Sequence, residues 1–229
     1  MKNKTEILKQ LKGGLIVSCQ ALEDEPLYSS FIMGRMAKAA KEGGAVGIRA
    51  NSPLDIIEIK KTVDLPVIGL YKQVYENSDV YITSTMKEVD ALMDVKPDII
   101  ALDATGRLRP GQVTLDNFFK EVKAKYPQML FMADCATLAD GIKAQEMGFD
   151  FVGTTMCGYT KETTGTAIPN FSLIRDLTTQ LEIPVIAEGG IWEVSDLKEV
   201  FHNHAYAAVI GTAITRPRDI TKRFVEAIS

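Results

Sequence analysis

The 229-residue sequence is poor in cysteine and histidine, with three of the first and two of the second. Cys19, Cys135 and Cys157 are odd in number and form no C-x-x-C pair. A disulfide framework is therefore not expected, and a reducing, cytoplasmic setting is. No apolar stretch reaches the roughly 18 residues that cross a bilayer. The short apolar run behind the N-terminal lysines reads as a first core strand rather than a secretory signal. Basic excess is also missing: the formal net charge is −4, which speaks against nucleic acid as a partner. No G-x-G-x-x-G follows the first apolar run, so a dinucleotide-binding fold has no support. No Pro/Gly/Ser-rich linker or low-complexity tract interrupts the chain, and residues 1–229 are expected to form one domain.

What is present is a long alternation. Hydrophobic residues make up 46% of the chain, enough for one large core. Eight short β-branched runs stand out: Leu15–Gln20, Ala45–Arg49, Val67–Lys72, Asp98–Asp103, Met129–Asp134, Phe151–Thr154, Val185–Glu188 and Tyr206–Gly211. They are nearly continuous in apolar residues, as strands buried on both faces are. Segments of helical periodicity separate them: Ser29–Glu42, Leu54–Thr62, Met86–Asp94, Leu115–Lys125, Leu138–Met147, Phe171–Gln180, Val194–Phe201 and Arg218–Ile228. Gly43-Gly44 and Gly148 supply stop signals, Ser52-Pro53 a cap followed by proline, and Thr137 and Ser195 lie near helix starts. Eight evenly spaced units predict an α/β chain folded as a (β/α)8 TIM barrel of the phosphate-binding type, with a doubly wound sheet as runner-up. Asp79–Thr83 is a candidate for a short extra strand after strand 3.

Six of these runs end in a polar side chain: Gln20, Arg49, Lys72, Asp103, Asp134 and Glu188. In a barrel they share one rim, where active sites are built. If Lys72 faces the axis, so do Leu70 and Ile68, and if Glu188 does, so does Ile186. Charged groups over such an apolar interior have shifted pKa values, lysine downward and glutamate upward, as general acid–base work requires. The alternative reading is a Lys72–Glu188 or Arg49–Asp134 ion pair that only neutralises the rim. Glycines recur in the last two βα loops, at Gly189-Gly190 and at Gly211 before Thr212, where barrels frequently hold phosphate on backbone N–H groups. Arg216 follows and is suited to an anion, or to solvent at a helix start. The loop carrying Thr160, Thr163, Thr164 and Gly165 is either a lid or an ordinary connection. His202 and His204 fall at the opposite face, so a histidine metal site is not expected, while a carboxylate-only Mg²⁺ site at Asp103 and Asp134 stays open. Cys19 and Cys135, without a nearby histidine, read as small packing residues, and Phe118, Phe119, Phe131 and Tyr126 as helix-to-barrel packing.

The chain also resembles a known family over nearly its full length. The residues that carry the likeness are Gly14 through Gln20, Gly47-Ile48-Arg49-Ala50, Pro66 through Lys72, Ala101-Leu102-Asp103-Ala104-Thr105, Met132-Ala133-Asp134, Gly153-Thr154-Thr155 with Gly158-Tyr159-Thr160, Ala187-Glu188-Gly189-Gly190, and Val209 through Pro217. In this order they resemble the bacterial N-acylmannosamine-6-phosphate 2-epimerases. The resemblance implies an isomerase interconverting N-acetylmannosamine 6-phosphate and N-acetylglucosamine 6-phosphate in sialic acid catabolism, with no organic cofactor. It implies Lys72 as general acid/base at C2, Glu188 as its partner, and Gln20, Arg49, Asp134 and Arg216 around the same pocket. Two rivals remain at this stage: an aldolase using Lys72 as a Schiff-base nucleophile, and a catalytically silent sugar-phosphate-binding protein. Whether the chain forms a homodimer is left open.

Overall fold

A computed structural model describes residues 3–228. Its eight strands are β1 (Leu15–Cys19), β2 (Gly47–Asn51), β3 (Val67–Leu70), β4 (Ile99–Asp103), β5 (Leu130–Asp134), β6 (Phe151–Gly153), β7 (Val185–Glu188) and β8 (Ala207–Ile210). They pair in sequence order, all parallel, and β8 closes on β1. The closed barrel, not the doubly wound sheet, is therefore the fold.

The helices follow the alternation. They are α1 (Lys4–Leu11), α2 (Ser30–Glu42), α3 (Pro53–Thr62), α4 (Met86–Val95), α5 (Leu115–Lys125), α6 (Leu138–Met147), α7 (Phe171–Gln180), α8 (Val194–His202), α9 (Thr212–Thr215) and α10 (Pro217–Glu226). Local chemistry sets their ends. Ser52 accepts from the Asp55 N–H with Pro53 at the first helical position, and Thr137 forms a capping box with Asp140. The expected cap near Ser195 is instead Glu193, boxed with Asp196. Among the described residues no helix is long and apolar enough to cross a membrane.

The period of two along each strand sorts the core into an inside and an outside. Ile16, Ile68, Leu70, Ile99, Ala101, Leu130, Met132, Ile186 and Val209 meet in one cluster within the barrel, and Ile7 and Leu11 of α1 join it. The alternate residues, among them Val17, Ile48, Val67, Ile100, Phe131 and Val152, pack outward against the helices. Cys19 and Cys135 belong to this outer layer, as do Phe118, Phe119 and Tyr126. Phe131 meets Phe119 edge-on with centroids 5.4 Å apart. Burial, and then the Asp55 charge, push the Cys19 thiol up to about 12, so it stays protonated and inert.

The C-terminal ends of two strands lie two residues from the sequence reading, and those of the others within one. β2 runs to Asn51, so Arg49 lies mid-strand rather than at its end. Its side chain is only 1% exposed, and the strand continues past the charge because two carboxylates inside the barrel neutralise it. β3 stops at Leu70, because the chain then turns to meet residues 81–83. Tyr71 N–H donates to Thr83 Oγ1 (3.1 Å), and Lys72 forms an antiparallel bridge with Ile82. The extra strand sought at Asp79–Thr83 is this short pairing.

Candidate active site

Extending the inward parity by one or two residues past each strand end brings the polar side chains to one rim. From β1 come Ser18 and Gln20, from β2 Arg49, after β3 Lys72, after β6 Thr155, from β7 Glu188, and after β8 Gly211. All of them line one cavity of about 380 Å³, within the range of small-molecule sites. Tyr81, Tyr159, Ile168, Trp192, Thr212, Thr215 and Arg216 complete much of its wall. The loops after β3 and β4 are pinned by Arg109, 2% exposed. Arg109 donates to the backbone oxygens of Thr83, Ser84 and Asp103 and lies 4.1 Å over the Phe118 ring.

The floor of the cavity is an ionic network. Arg49 Nη2 donates to Asp134 Oδ2 at 2.6 Å, and Nη1 lies 3.1 Å from Glu188 Oε2. Of the two ion pairs weighed from the sequence, Arg49–Asp134 forms. Lys72 instead enters no ion pair among the described residues. Asp134 does not line the cavity; it is fully buried, and its other oxygen accepts from Thr155 Oγ1 at 2.7 Å. Burial opposes the Arg49 charge, but Asp134 and then Glu188 more than restore it, so its pKa rises.

Lys72 and Glu188 sit on either side of this network with pKa values moved toward each other. Burial, then Arg49 and Arg216, bring Lys72 down to about 8 against the opposing pull of Glu188 and Asp134. Burial is also the largest influence on Glu188; together with Asp134 it raises that carboxyl above its ordinary range against the pull of Arg49. An ammonium easily discharged beside a carboxylate easily protonated is an arrangement for moving protons near neutral pH.

Gln20 is 7% exposed. Its Nε2 donates to Ser18 Oγ at 2.9 Å, while its Oε1 has no protein partner. A buried acceptor without a donor is costly, and Gln20 lines the cavity, where a ligand can supply one. Arg216 Nε lies 3.0 Å from Glu25 Oε1, which fixes the guanidinium at the mouth.

The last two loops complete the wall. Gly189 and Gly190 have φ of +109° and +72°, a backbone region in which glycine is unstrained. A Cβ on Gly190 would lie 2.6 Å from the Ile168 carbonyl carbon, so the loop after β6 is packed directly onto this turn. Gly211 precedes the one-turn α9, whose first amides, at Thr212 and Ala213, lack intrahelical partners.

Asp103 stays outside the cavity. Arg107 pairs with it at 2.5 Å, and Thr105 donates to it from both N–H and hydroxyl. Asp103 and Asp134 thus each spend their oxygens on protein donors. Thr160 and Thr163 bond to one another at 2.8 Å, and Thr164 donates to the Thr160 carbonyl. The loop's contributions to the cavity are Tyr159 and Ile168. Ser18, Tyr81, Thr155 and Trp192 had not been singled out from the sequence; strand parity would have found Ser18 and Thr155.

A family model described as "Putative N-acetylmannosamine-6-phosphate epimerase" matches residues 33–229. The chain belongs to this family. Relatives named "Putative N-acetylmannosamine-6-phosphate 2-epimerase" include one from Clostridioides difficile, 55% identical over 97% of this chain and 99% of the relative. Another, from Caldanaerobacter subterraneus, is 51% identical over 97% of this chain and 94% of its own length. The solved structure of N-acetylmannosamine-6-phosphate 2-epimerase from Clostridium perfringens superposes with a TM-score of 0.93 at 48% identity, covering 99% of this chain and 98% of that one. Family and barrel expected from the sequence are thus both borne out.

Proposed function

We propose that this chain is an isomerase that interconverts N-acetylmannosamine 6-phosphate and N-acetylglucosamine 6-phosphate by removing and returning the proton on C2, in amino sugar (sialic acid) catabolism. The observation that carries the proposal is that Lys72 and Glu188 line one cavity together with the glycines of the last two loops, their pKa values moved toward each other.

The C2 proton becomes acidic once C1 is an open-chain aldehyde. Neutral Lys72 takes it, and the enediolate that forms needs positive charge or donors near O1. Arg216, held by Glu25, and the protonated lysine supply that charge. Glu188 carries the proton for ring opening or returns one to the opposite face. Gln20 Oε1 accepts from a sugar hydroxyl or the acetamido N–H. Arg49 and Asp134 act from the cavity floor, aligning Glu188. The amides at Gly189, Gly190, Gly211 and Thr212 receive the phosphate, as the last two loops of barrels often do.

Proton NMR in D₂O tests the reading. N-acetylmannosamine 6-phosphate with the protein is expected to yield N-acetylglucosamine 6-phosphate deuterated at C2. Binding without deuterium uptake would mean a non-catalytic binder, and borohydride trapping of the substrate on Lys72 an aldolase.

The phosphate loop has its own test. Gly190→Ala places a methyl group against the Ile168 backbone at a positive φ. Such strain is worth about 1–3 kcal/mol, and relieving it must part the loops after β6 and β7. KM for the phosphorylated sugar is expected to rise at least about tenfold, that single interaction being worth about 1.4 kcal/mol. An unchanged KM would remove Gly190 from the phosphate site.

A further inference from the structure

Two consecutive threonines at the end of β6 grip the neighbouring glutamate. Thr154 holds its backbone: the Glu188 N–H donates to Thr154 Oγ1 at 2.9 Å, and that hydroxyl donates to the Glu188 carbonyl at 2.8 Å. Thr155 holds its side chain, with Oγ1 lying 3.2 Å from Glu188 Oε2 and 2.7 Å from Asp134 Oδ1. Among the described residues, the hydrogen bonds and ion pairs of the Glu188 carboxyl fall on Oε2, shared between Arg49 Nη1 and Thr155. Oε1 is thereby left to the cavity.

A hydroxyl has one proton to give and two lone pairs to receive with. Between two carboxyl groups it cannot donate to both at once. While Glu188 is ionised, the Thr155 hydroxyl can turn its proton to Oε2, and Asp134 keeps Arg49. A proton that Glu188 exchanges with substrate is carried on Oε1, and Oε2 then still accepts from Thr155 and Arg49. No heavy atom moves between the two arrangements.

We propose that Thr155 is a positioning residue that holds Glu188 in one geometry through both of its protonation states, with Oε1 facing the substrate. The proposal rests on the assignment of Glu188 to proton transfer. The other charged groups facing Glu188 are Arg49 from β2, Asp134 from β5 and Lys72 after β3. Arg216 acts on Lys72 from the mouth. Of these only Arg49 reaches Oε2, and as a donor.

The test compares Thr155→Val, which keeps the shape and loses the hydroxyl, with Thr155→Ser, which keeps the hydroxyl. The valine variant is expected to lose about tenfold in kcat with KM within about twofold, a loss of transition-state positioning alone. With one of its two donors gone, the limb of the kcat/KM profile owned by Glu188 is expected to move to higher pH, while the limb near 8 that belongs to Lys72 stays. Serine is expected to restore both. If Thr155→Val does not fold, Thr155→Ala is read in its place. A removed hydroxyl that leaves kcat and both limbs unchanged overturns the proposal, as does a serine variant no better than valine. Glu188→Gln run alongside separates the two readings: if it keeps full activity, the role of Glu188 itself has failed.

Discussion

Lys72→Ala is expected to lower kcat for epimerisation by at least about 10³-fold, within the range positioned acid–base groups contribute. Hydrogen–deuterium exchange at C2 is expected to fall with it, while the phosphorylated sugar still binds, since the phosphate site proposed lies in the loops after β7 and β8, away from β3. The fold should survive. Burial brings the folded Lys72 pKa down to about 8 from the ordinary 10.5, so between these values the unfolded chain binds more protons. Stability contributed by this group therefore rises with pH across that window, and below it the buried ammonium opposes folding. Removing it should leave the melting temperature at neutral pH unchanged or higher, as is common where a site is built at the expense of stability. The native enzyme should show kcat/KM rising toward a limb near pH 8 as Lys72 discharges. Full activity in Lys72→Ala would end the lysine assignment, and a lower melting temperature would mean the side chain is structural.

Much of this was legible in the sequence because a barrel strand obeys a period of two. The run from Val67 to Leu70 fixes which side of the sheet is inside, and the same step carries on to Lys72. Likewise Ile186 predicts the direction of Glu188. Reading failed where a charge was mistaken for an exit from the core. Arg49 looks like the end of a strand, but Asp134 and Glu188 receive it inside the barrel, and pairings between residues 85 and 139 positions apart are not visible locally. The opposite error was made at Asp103, where Arg107, four residues on, claims the carboxylate. That spacing was available and points to a local pair rather than a site. Thr155 was passed over because strand 6 was read as stopping at Thr154, yet Phe151, Gly153 and Thr155 share the inward parity. The helix α1 was missed beside its lysines although Asn3 and Glu6 form a capping box, and Ile7 and Leu11 are the four-residue step of a buried face. At four residues, α9 is too short for any periodicity to mark it. The sequence reading also set an Arg49–Asp134 ion pair against function. The structure contains that pair beneath the candidate site, where Arg49 also reaches Glu188, so the two readings were not exclusive.

Arg49→Met should be the most destabilising single change in the site. The methionine fills much of the same volume, but Asp134, 0% exposed, and Glu188 then face each other without a cation. Breaking a buried pair from one side typically costs about 3–5 kcal/mol, which in a chain of this size lowers the melting temperature by roughly 10 °C. Activity should fall as well, because Glu188 loses the Nη1 contact that helps orient it. The pH dependence identifies the cause. Without Arg49, Glu188 loses the cation that pulls its already raised pKa down, so its folded value lies further above the unfolded one. Stability tied to it is therefore present below about pH 4, the unfolded value, and lost as pH rises through the folded value. The deficit against the native protein should thus be large at pH 7 and shrink toward pH 4, measured by urea unfolding at each pH. Arg49→Met combined with Asp134→Asn should recover part of it at pH 7, since one stranded charge is gone. Arg49→Lys should recover less than its charge suggests, because a single ammonium cannot reach both carboxyls in the forked geometry. A deficit that is the same at pH 4 and pH 7 would trace the damage to packing and remove the electrostatic role assigned to Arg49.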